Sequence, residues 1–181
     1  HDELRRQRQM CIRDSYHLHH VAGKVVALAE FEEYGEAYAK DIVKNSRALA
    51  ESLAAEGFDV LAESRNYTAS HQVLTRHGDI DSGAGANAAK TLEGVGIITN
   101  MNMLPGDTKA LTPSGLRLGV QELTRVGMSK TEMAEVAKLF ARALIHNEDL
   151  NRVKQDVTNL KSNFQTIRYC FNEEEQSGYI L

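Results

Sequence analysis

Apolar residues recur along this chain in two periods, one typical of helices and one typical of strands. The segment LHHVAGKVVALAE at 18–30 is apolar on most faces, which predicts a helix that packs against other structure. Ser129, followed three residues later by Glu132, predicts a capping box at the start of a strongly periodic helix. The predicted helices cover residues 18–30, 36–56, 86–95, 129–145 and 149–165.

Short apolar runs between the helical segments predict strands. These runs cover residues 58–62, 71–75, 97–100 and 116–118. Pro105-Gly106 predicts a type II turn between the last two of them, because proline fixes the first central φ and glycine permits a positive φ at the second. The alternation of few strands with several helices predicts an α/β fold in which helices pack on a small sheet.

Composition excludes several classes of partner. The chain has 181 residues, with 21 basic and 25 acidic side chains and a formal charge of −4. This balance predicts no global attraction to nucleic acid or to an anionic membrane. No apolar run is long enough to span a bilayer. Cys11 and Cys170 are too few for a disulfide framework, so we expect a cytoplasmic protein.

Residues 1–15 (HDELRRQRQMCIRDS) do not fit the pattern that follows. They are charged, they lack an apolar face, and they resemble translated sequencing-adapter sequence. We expect a non-native or disordered lead, excluded from the fold as an expression tag would be.

Arg117 is the sharpest candidate for chemistry. It lies between Leu116 and Leu118 in a run closed by glycines, where a cation is costly unless an anion meets it. Its planar guanidinium suits a carboxylate in bidentate geometry. An anion-binding role and a structural ion pair with an Asp or Glu elsewhere both remain open. Asn100 and Asn102 offer amides to a heterocyclic ligand, or simply satisfy turn backbone groups.

Other candidates indicate ordinary structure more strongly than chemistry. His17, His19 and His20 invite a metal site, but no Cys or acidic ligand has useful spacing, so no metal is expected. The glycines at 83–85 lack the spacing of a phosphate loop. Ser114 lacks the nucleophile-elbow pattern.

Three blocks of the chain resemble serine hydroxymethyltransferase, the pyridoxal-phosphate enzyme that interconverts serine and glycine and transfers a one-carbon unit to a reduced pterin carrier. They are LHHVAGKVVALAE at 18–30, ITNMNMLPGD at 98–107 and TPSGLRLGVQELTRVGM at 112–128. They are similar to the C-terminal part of that family, and VKQDVTNLKSNFQTIRYCF at 153–171 is similar to the extension of archaeal-type members.

The resemblance implies the C-terminal small domain of the fold-type I, aspartate-aminotransferase-like enzymes. That domain is a small, mostly antiparallel sheet covered by helices, with a long connecting helix before it and a helical extension after it. Accordingly, we expect an interface helix at 16–33 buried against a large domain absent from this chain, a small domain at 34–146 and an extension with its tail at 147–181.

The resemblance also implies roles for two residues. Arg117 corresponds to the arginine that binds the α-carboxylate of serine or glycine. Asn102 corresponds to the second asparagine of the N-x-N segment, which contacts the pteridine ring of the carrier. Met101 stands where the family usually has lysine, and the loop at 108–112 also departs from the family, so tetrahydrofolate and tetrahydromethanopterin are both open as carriers.

No lysine here lies in the Thr-x-His-Lys setting that forms the Schiff base with pyridoxal phosphate. The resemblance therefore implies that the cofactor is bound mainly by the absent large domain, that the full enzyme is a homodimer, and that this chain alone is inactive. Two alternatives stay open. One is the small domain of another fold-type I enzyme, an aldolase or aminotransferase, and the other is a stand-alone amino-acid-binding module.

Overall fold

The computed structural model describes residues 18–146 and 148–171. The helices in this part of the chain are α1 (Leu18–Ala55), α2 (Ala84–Gly94), α3 (Gln121–Arg125), α4 (Lys130–Leu144) and α5 (Leu150–Ser162). The strands are β1 (Asp59–Val60), β2 (Gln72–Arg76), β3 (Asn100–Asn102) and β4 (Gly115–Gly119). The predicted lead at 1–15 lies outside the described residues, as does most of the tail after Phe171.

The strands form one antiparallel sheet in the order β1-β2-β4-β3. This confirms the predicted small antiparallel sheet covered by helices. Strand positions were predicted to within three residues, but β1 is only two residues long and β3 begins where the predicted strand at 97–100 ends. The short helix α3 was not predicted, because five residues give too little periodicity to detect.

The first two predicted helices are in fact one continuous helix, α1. The intervening residues include Gly35 but no proline, and an interior glycine costs only about 1 kcal/mol. The ring of Phe31 packs over Gly35, with its nearest atom 3.1 Å from where a Cβ would stand. The prediction of a break between residues 30 and 36 was therefore wrong.

The N-terminal part of α1 is not covered by the rest of the described chain. Val25, Leu28 and Phe31 are 61%, 69% and 63% exposed. The burial expected from their apolar pattern is thus absent within residues 18–146 and 148–171, and burial against a further domain stays a prediction.

The core lies between one face of the sheet and the helices. It is built from the C-terminal half of α1, from α2 and α4, from the inward side chains of the strands, and from Val153 of α5. The predicted capping box of α4 is confirmed, since the Glu132 carboxylate accepts hydrogen bonds of 2.6 Å from both the amide and the hydroxyl of Ser129. Among the helices of the described residues, none has the length and apolarity to cross a membrane.

Candidate functional site

Arg117 lies at the centre of β4 with a strand on each side. Its Cα partners are Leu74 in β2 and Asn100 in β3. Directly paired residues project from the same face of a sheet, so Arg117 and Asn100 are neighbours on one face. Leu116 and Leu118 project from the opposite face and are buried in the core. Strand alternation thus keeps Arg117 half-buried on the face away from the core.

Asn102 belongs to the same face, two residue pairs further along the sheet. It pairs with Gly115, and Arg76 pairs with Gly115 from the other side. Asn102 is diagonal to Arg117, a relation that separates Cα atoms by about 7–8 Å. Its Nδ2 donates a 2.6 Å hydrogen bond to the carbonyl oxygen of Met103. The structure therefore brings the sequence-predicted residues, Arg117 and Asn102, onto one face.

The guanidinium of Arg117 has no carboxylate partner among the described residues. Several other arginines form ion pairs with carboxylates within residues 18–146 and 148–171, but Arg117 does not. Arg125 pairs with Glu30 at 3.2 Å, for example, and Arg142 pairs with Glu148 at 2.7 Å. The structural ion pair that the sequence left open therefore finds no partner in this part of the chain, which favours an external anion.

The loop between β3 and β4, residues 103–114, is referred to here as the flap. It begins with the predicted type II turn, in which the amide of Asp107 donates to the carbonyl oxygen of Leu104 at 2.9 Å and Gly106 has a φ of +105°. Gly115, just after the flap, has no room for a side chain, because a Cβ would stand 2.4 Å from the Leu104 side chain. The flap is therefore packed closely onto the strand that carries Arg117.

Two carboxylates fix the flap, and sequence reasoning missed both. Asp107 accepts hydrogen bonds from the amides of Asp81, Leu104 and Ser114, each at 2.9 Å, and these lower the pKa of its carboxyl far below the ordinary value. Asp81 accepts from the hydroxyl and amide of Thr108, at 2.6 and 2.8 Å, and the hydroxyl bond is the main cause of its lowered pKa. An aspartate directly after Pro-Gly is the one local signal that could have indicated this arrangement.

The other residues singled out from the sequence make contacts that are typical of structural roles. The Ser114 hydroxyl is buried and donates to Asp107 at 2.8 Å. Gly83 has a φ of +74° and its amide donates to the carbonyl oxygen of Thr112, so it anchors the flap. His19 and His20 contact each other edge to face, with ring centroids 4.2 Å apart, and His17 lies outside the described residues. Within residues 18–146 and 148–171, no three His, Cys, Asp or Glu side chains lie together so that they could hold a metal ion.

The described residues do not by themselves fit pyridoxal phosphate. Every lysine of the chain lies within them, and each one is exposed. A lysine that forms a Schiff base needs a lowered pKa, which comes from burial or from a neighbouring cation. Two of these lysines instead pair with acids on the surface of α1, Lys40 with Glu36 and Lys44 with Asp41.

The family model described as Serine hydroxymethyltransferase matches residues 11–140. The chain belongs to the serine hydroxymethyltransferase family. Among curated serine hydroxymethyltransferases, it is 52% identical over 160 residues to that of Pyrococcus horikoshii and 46% identical over 169 residues to that of Thermoplasma acidophilum. These matches confirm the resemblance that the three blocks carry. The family is one of PLP-dependent transferases.

The chain spans less than half of the length of these relatives. The match covers 87% of this chain but 38% of the Pyrococcus horikoshii enzyme. A solved structure, that of L-threonine transaldolase from Pseudomonas fluorescens in its internal aldimine state, is similar with a TM-score of 0.72 at 31% identity. That similarity covers 81% of this chain and 33% of the transaldolase, and it confirms the predicted fold-type I class.

Proposed function

We propose that this chain supplies the substrate-facing side of a serine hydroxymethyltransferase active site. The enzyme would interconvert serine and glycine, with transfer of a one-carbon unit to a reduced pterin carrier. The observation that carries the proposal is Arg117, a half-buried cation on the sheet face away from the core, without a carboxylate among the described residues. An unpaired guanidinium in that position suits the carboxylate of an amino acid.

In this proposal Arg117 binds the substrate and orients it. A bidentate pair with the α-carboxylate fixes both the position of the amino acid and its rotation about Cα. Because Leu116 and Leu118 are buried on either side, the backbone that carries Arg117 is held in place. A lysine would supply charge at this position without the planar geometry.

Asn102 is proposed to contact the carrier. An amide offers one acceptor and two donor hydrogens, which suits the ring of a pterin. One of its donors is used by Met103, so its oxygen and second donor are the groups proposed to meet the ligand. Tetrahydrofolate and tetrahydromethanopterin are the two carriers to compare, since Met101 replaces the usual lysine beside it.

The cofactor is proposed to be bound by the part of the enzyme that this chain does not span. Family membership supports pyridoxal phosphate, while the exposed lysines of this chain do not fit it. We further propose a homodimeric, cytoplasmic full-length enzyme in which the N-terminal half of α1 packs against that other part. Its exposed apolar side chains support this arrangement over a stand-alone binding module, in which the chain itself would cover them.

A second candidate follows from the similarity to L-threonine transaldolase. In that case the site would act on threonine in aldol chemistry, with no pterin carrier. Arg117 would keep its role on the carboxylate, whereas Asn102 would have no carrier to contact. Dependence on a carrier therefore separates the two candidates.

The test uses a chimeric enzyme. Residues 18–171 of this chain replace the matched part of the Pyrococcus horikoshii enzyme, and conversion of serine to glycine is measured with each carrier and without one. Carrier-dependent conversion is the expected result. Carrier-independent conversion of threonine that requires an added acceptor aldehyde would favour the second candidate, and no activity in a folded, cofactor-loaded chimera would overturn the proposal.

Arg117→Ala in the same chimera tests the residue itself. The KM for serine should rise roughly a hundredfold, the size expected when a charge-assisted pair is lost, while cofactor absorbance is retained. Arg117→Lys should recover only a small part of this loss. Arg65→Ala, which removes an exposed arginine from the turn at Glu63–Arg65, is the matched control. Equal loss of cofactor in Arg117→Ala would mean that Arg117 is structural.

A further inference from the structure

Asp107 joins the two ends of the flap through a single oxygen atom. Its Oδ2 accepts hydrogen bonds from the Leu104 amide at 2.9 Å, the Ser114 amide at 2.9 Å and the Ser114 hydroxyl at 2.8 Å. Leu104 follows Asn102 by two residues, and Ser114 precedes Arg117 by three. One carboxylate oxygen therefore connects the chain just after Asn102 to the chain just before Arg117.

The second oxygen of Asp107 extends this connection to the loop before α2. Its Oδ1 accepts from the amide of Asp81 at 2.9 Å. Asp81 has a φ of +56°, and its carboxylate accepts from the amides of Thr108 and Lys109 at 2.8 and 2.9 Å. The two aspartates thus link the flap to the loop before α2, and each carboxylate accepts hydrogen bonds from N–H and O–H donors.

The two ends of the flap do not depend on Asp107 equally. Arg117 lies in β4, which pairs with β2 on one side and β3 on the other. Asn102 is the last residue of β3, a three-residue edge strand that pairs with β4 alone. A short edge strand has fewer interactions to hold its end, so the position of Asn102 depends more strongly on the flap that follows it.

We propose that Asp107 is a positioning residue that holds Asn102 at a fixed distance from Arg117. This inference rests on the proposed function, in which Asn102 contacts the carrier and Arg117 the amino acid. Transfer of a one-carbon unit between two bound substrates requires that they be aligned, and a displacement of about 1 Å is enough to slow such a step strongly. Asp107 sets that alignment without contacting either substrate.

Asp107→Asn tests the proposal, because the amide keeps the shape of the side chain but turns one oxygen into an N–H donor that faces other donors. In the chimera, the KM for the carrier should rise about tenfold, while the KM for serine stays within about twofold. Asp79→Asn is the matched control, since it makes the same change of charge in the neighbouring loop, at an exposed side chain without a hydrogen bond among the described residues.

Ser114→Ala gives a milder version that avoids loss of folding. It removes the hydroxyl bond to Asp107 and a longer bond of 3.4 Å from Arg76, but it keeps the amide bonds to Asp107, so it should shift the carrier KM in the same direction by a smaller factor. An unchanged carrier KM in Asp107→Asn, or equal increases for carrier and serine, would overturn the positioning role.

A measurement on the 181-residue chain itself separates this inference from the proposed function. In NMR hydrogen exchange, Asp107→Asn should speed exchange of the Leu104 and Ser114 amides and shift the Asn102 side-chain signals, with little change at Leu118. If these signals respond while the chimera shows no carrier-dependent activity, the proposed function fails and the positioning of Asn102 stands. If Asn102 does not respond, the inference fails, whatever the chimera does.

Discussion

Arg117 is tolerated in an apolar strand because the adjacent residues in the sequence are buried while its own side chain is only half-buried. Leu116 and Leu118 project into the core, and alternation directs the guanidinium to the opposite face, where it keeps partial access to solvent. A fully buried arginine without a partner would cost several kcal/mol. A half-buried one keeps its charge at lower cost and remains available to an incoming carboxylate, which is the property that the proposed function uses.

Gly85 controls how closely α2 approaches the strand that carries Arg117. A Cβ at Gly85 would stand 2.3 Å from the carbonyl oxygen of Gly115, a backbone atom that cannot move away alone. Gly85→Ala should therefore destabilise the chain by about 1–3 kcal/mol, as overpacking typically does. The free energy of unfolding in urea measures this.

Gly94→Ala provides the comparison at the other end of the same helix. No heavy atom lies within 4 Å of the Cβ position at Gly94, and alanine is the better helix former. This variant should be neutral or more stable by up to about 1 kcal/mol. Equal stability of the two variants would show that the close approach of α2 to β4 is not maintained in solution.

At the scale of elements, the segment after α5 that contains Tyr169 contacts α1 and joins it to α3. The hydroxyl of Tyr169 donates to Asp41 at 2.8 Å, and its ring lies 4.9 Å from that of Tyr38. Arg125 of α3 donates to the carbonyl oxygen of Tyr169 and pairs with Glu30 of α1. These contacts hold the middle of the long helix against the rest of the described chain.

Tyr169→Phe should remove this connection in a pH-dependent way. Burial, with a smaller contribution from the hydrogen bond to Asp41, raises the pKa of Tyr169 to about 12 from the ordinary value of 10.0. Because the folded pKa is the higher one, the stabilisation is complete below pH 10.0 and is lost as the pH rises toward about 12. At neutral pH, the free energy of unfolding of the wild-type chain should be larger than that of the variant by about 1 kcal/mol, the net contribution of one hydrogen bond.

Urea unfolding at about pH 8 and about pH 11 measures the difference between the two proteins, in which the titration of lysines cancels. Tyr34→Phe serves as the control. Tyr34 lies in α1, and its hydroxyl has no hydrogen bond among the described residues. A difference between wild type and Tyr169→Phe that does not shrink at the higher pH would contradict the assignment.

At the scale of the whole molecule, α1 has two halves with different surroundings. Its C-terminal half contributes Leu49, Ala50 and Leu53 to the core, whereas residues 19–29 are exposed. An isolated helix gains little stability from propensity alone, so the exposed half lacks what normally holds a helix together. The exposed apolar side chains indicate a contact surface, which the proposed function assigns to the rest of the enzyme.

Hydrogen exchange should reveal this division directly. In the chain alone, amides at 19–31 should exchange much faster than those at 42–53, because they open without disrupting the core. In the chimera the first group should become protected. Measurement at two protein concentrations detects self-association through the same apolar surface. Equal protection of both groups in a monomeric chain would contradict the proposed contact.

The amino-acid sequence by itself determined the features that depend on neighbours in the chain. The period of α4 and its capping box, the type II turn at Pro105-Gly106, and the projection of Arg117 away from Leu116 and Leu118 are all local consequences of residue type and spacing. The motif blocks were also sufficient to indicate the family, since they are runs of consecutive residues.

Only the tertiary structure decided the relations between distant segments. Pairing of β4 with β3 gave Arg117 and Asn102 a common face, and the fold left Arg117 without a carboxylate partner within residues 18–146 and 148–171. Asp107 acquired its donors from Asp81 and Ser114, which local propensity does not bring together. The physical reason is that alternation and capping act within a few residues, whereas strand register and charge pairing depend on which segments the core packs side by side.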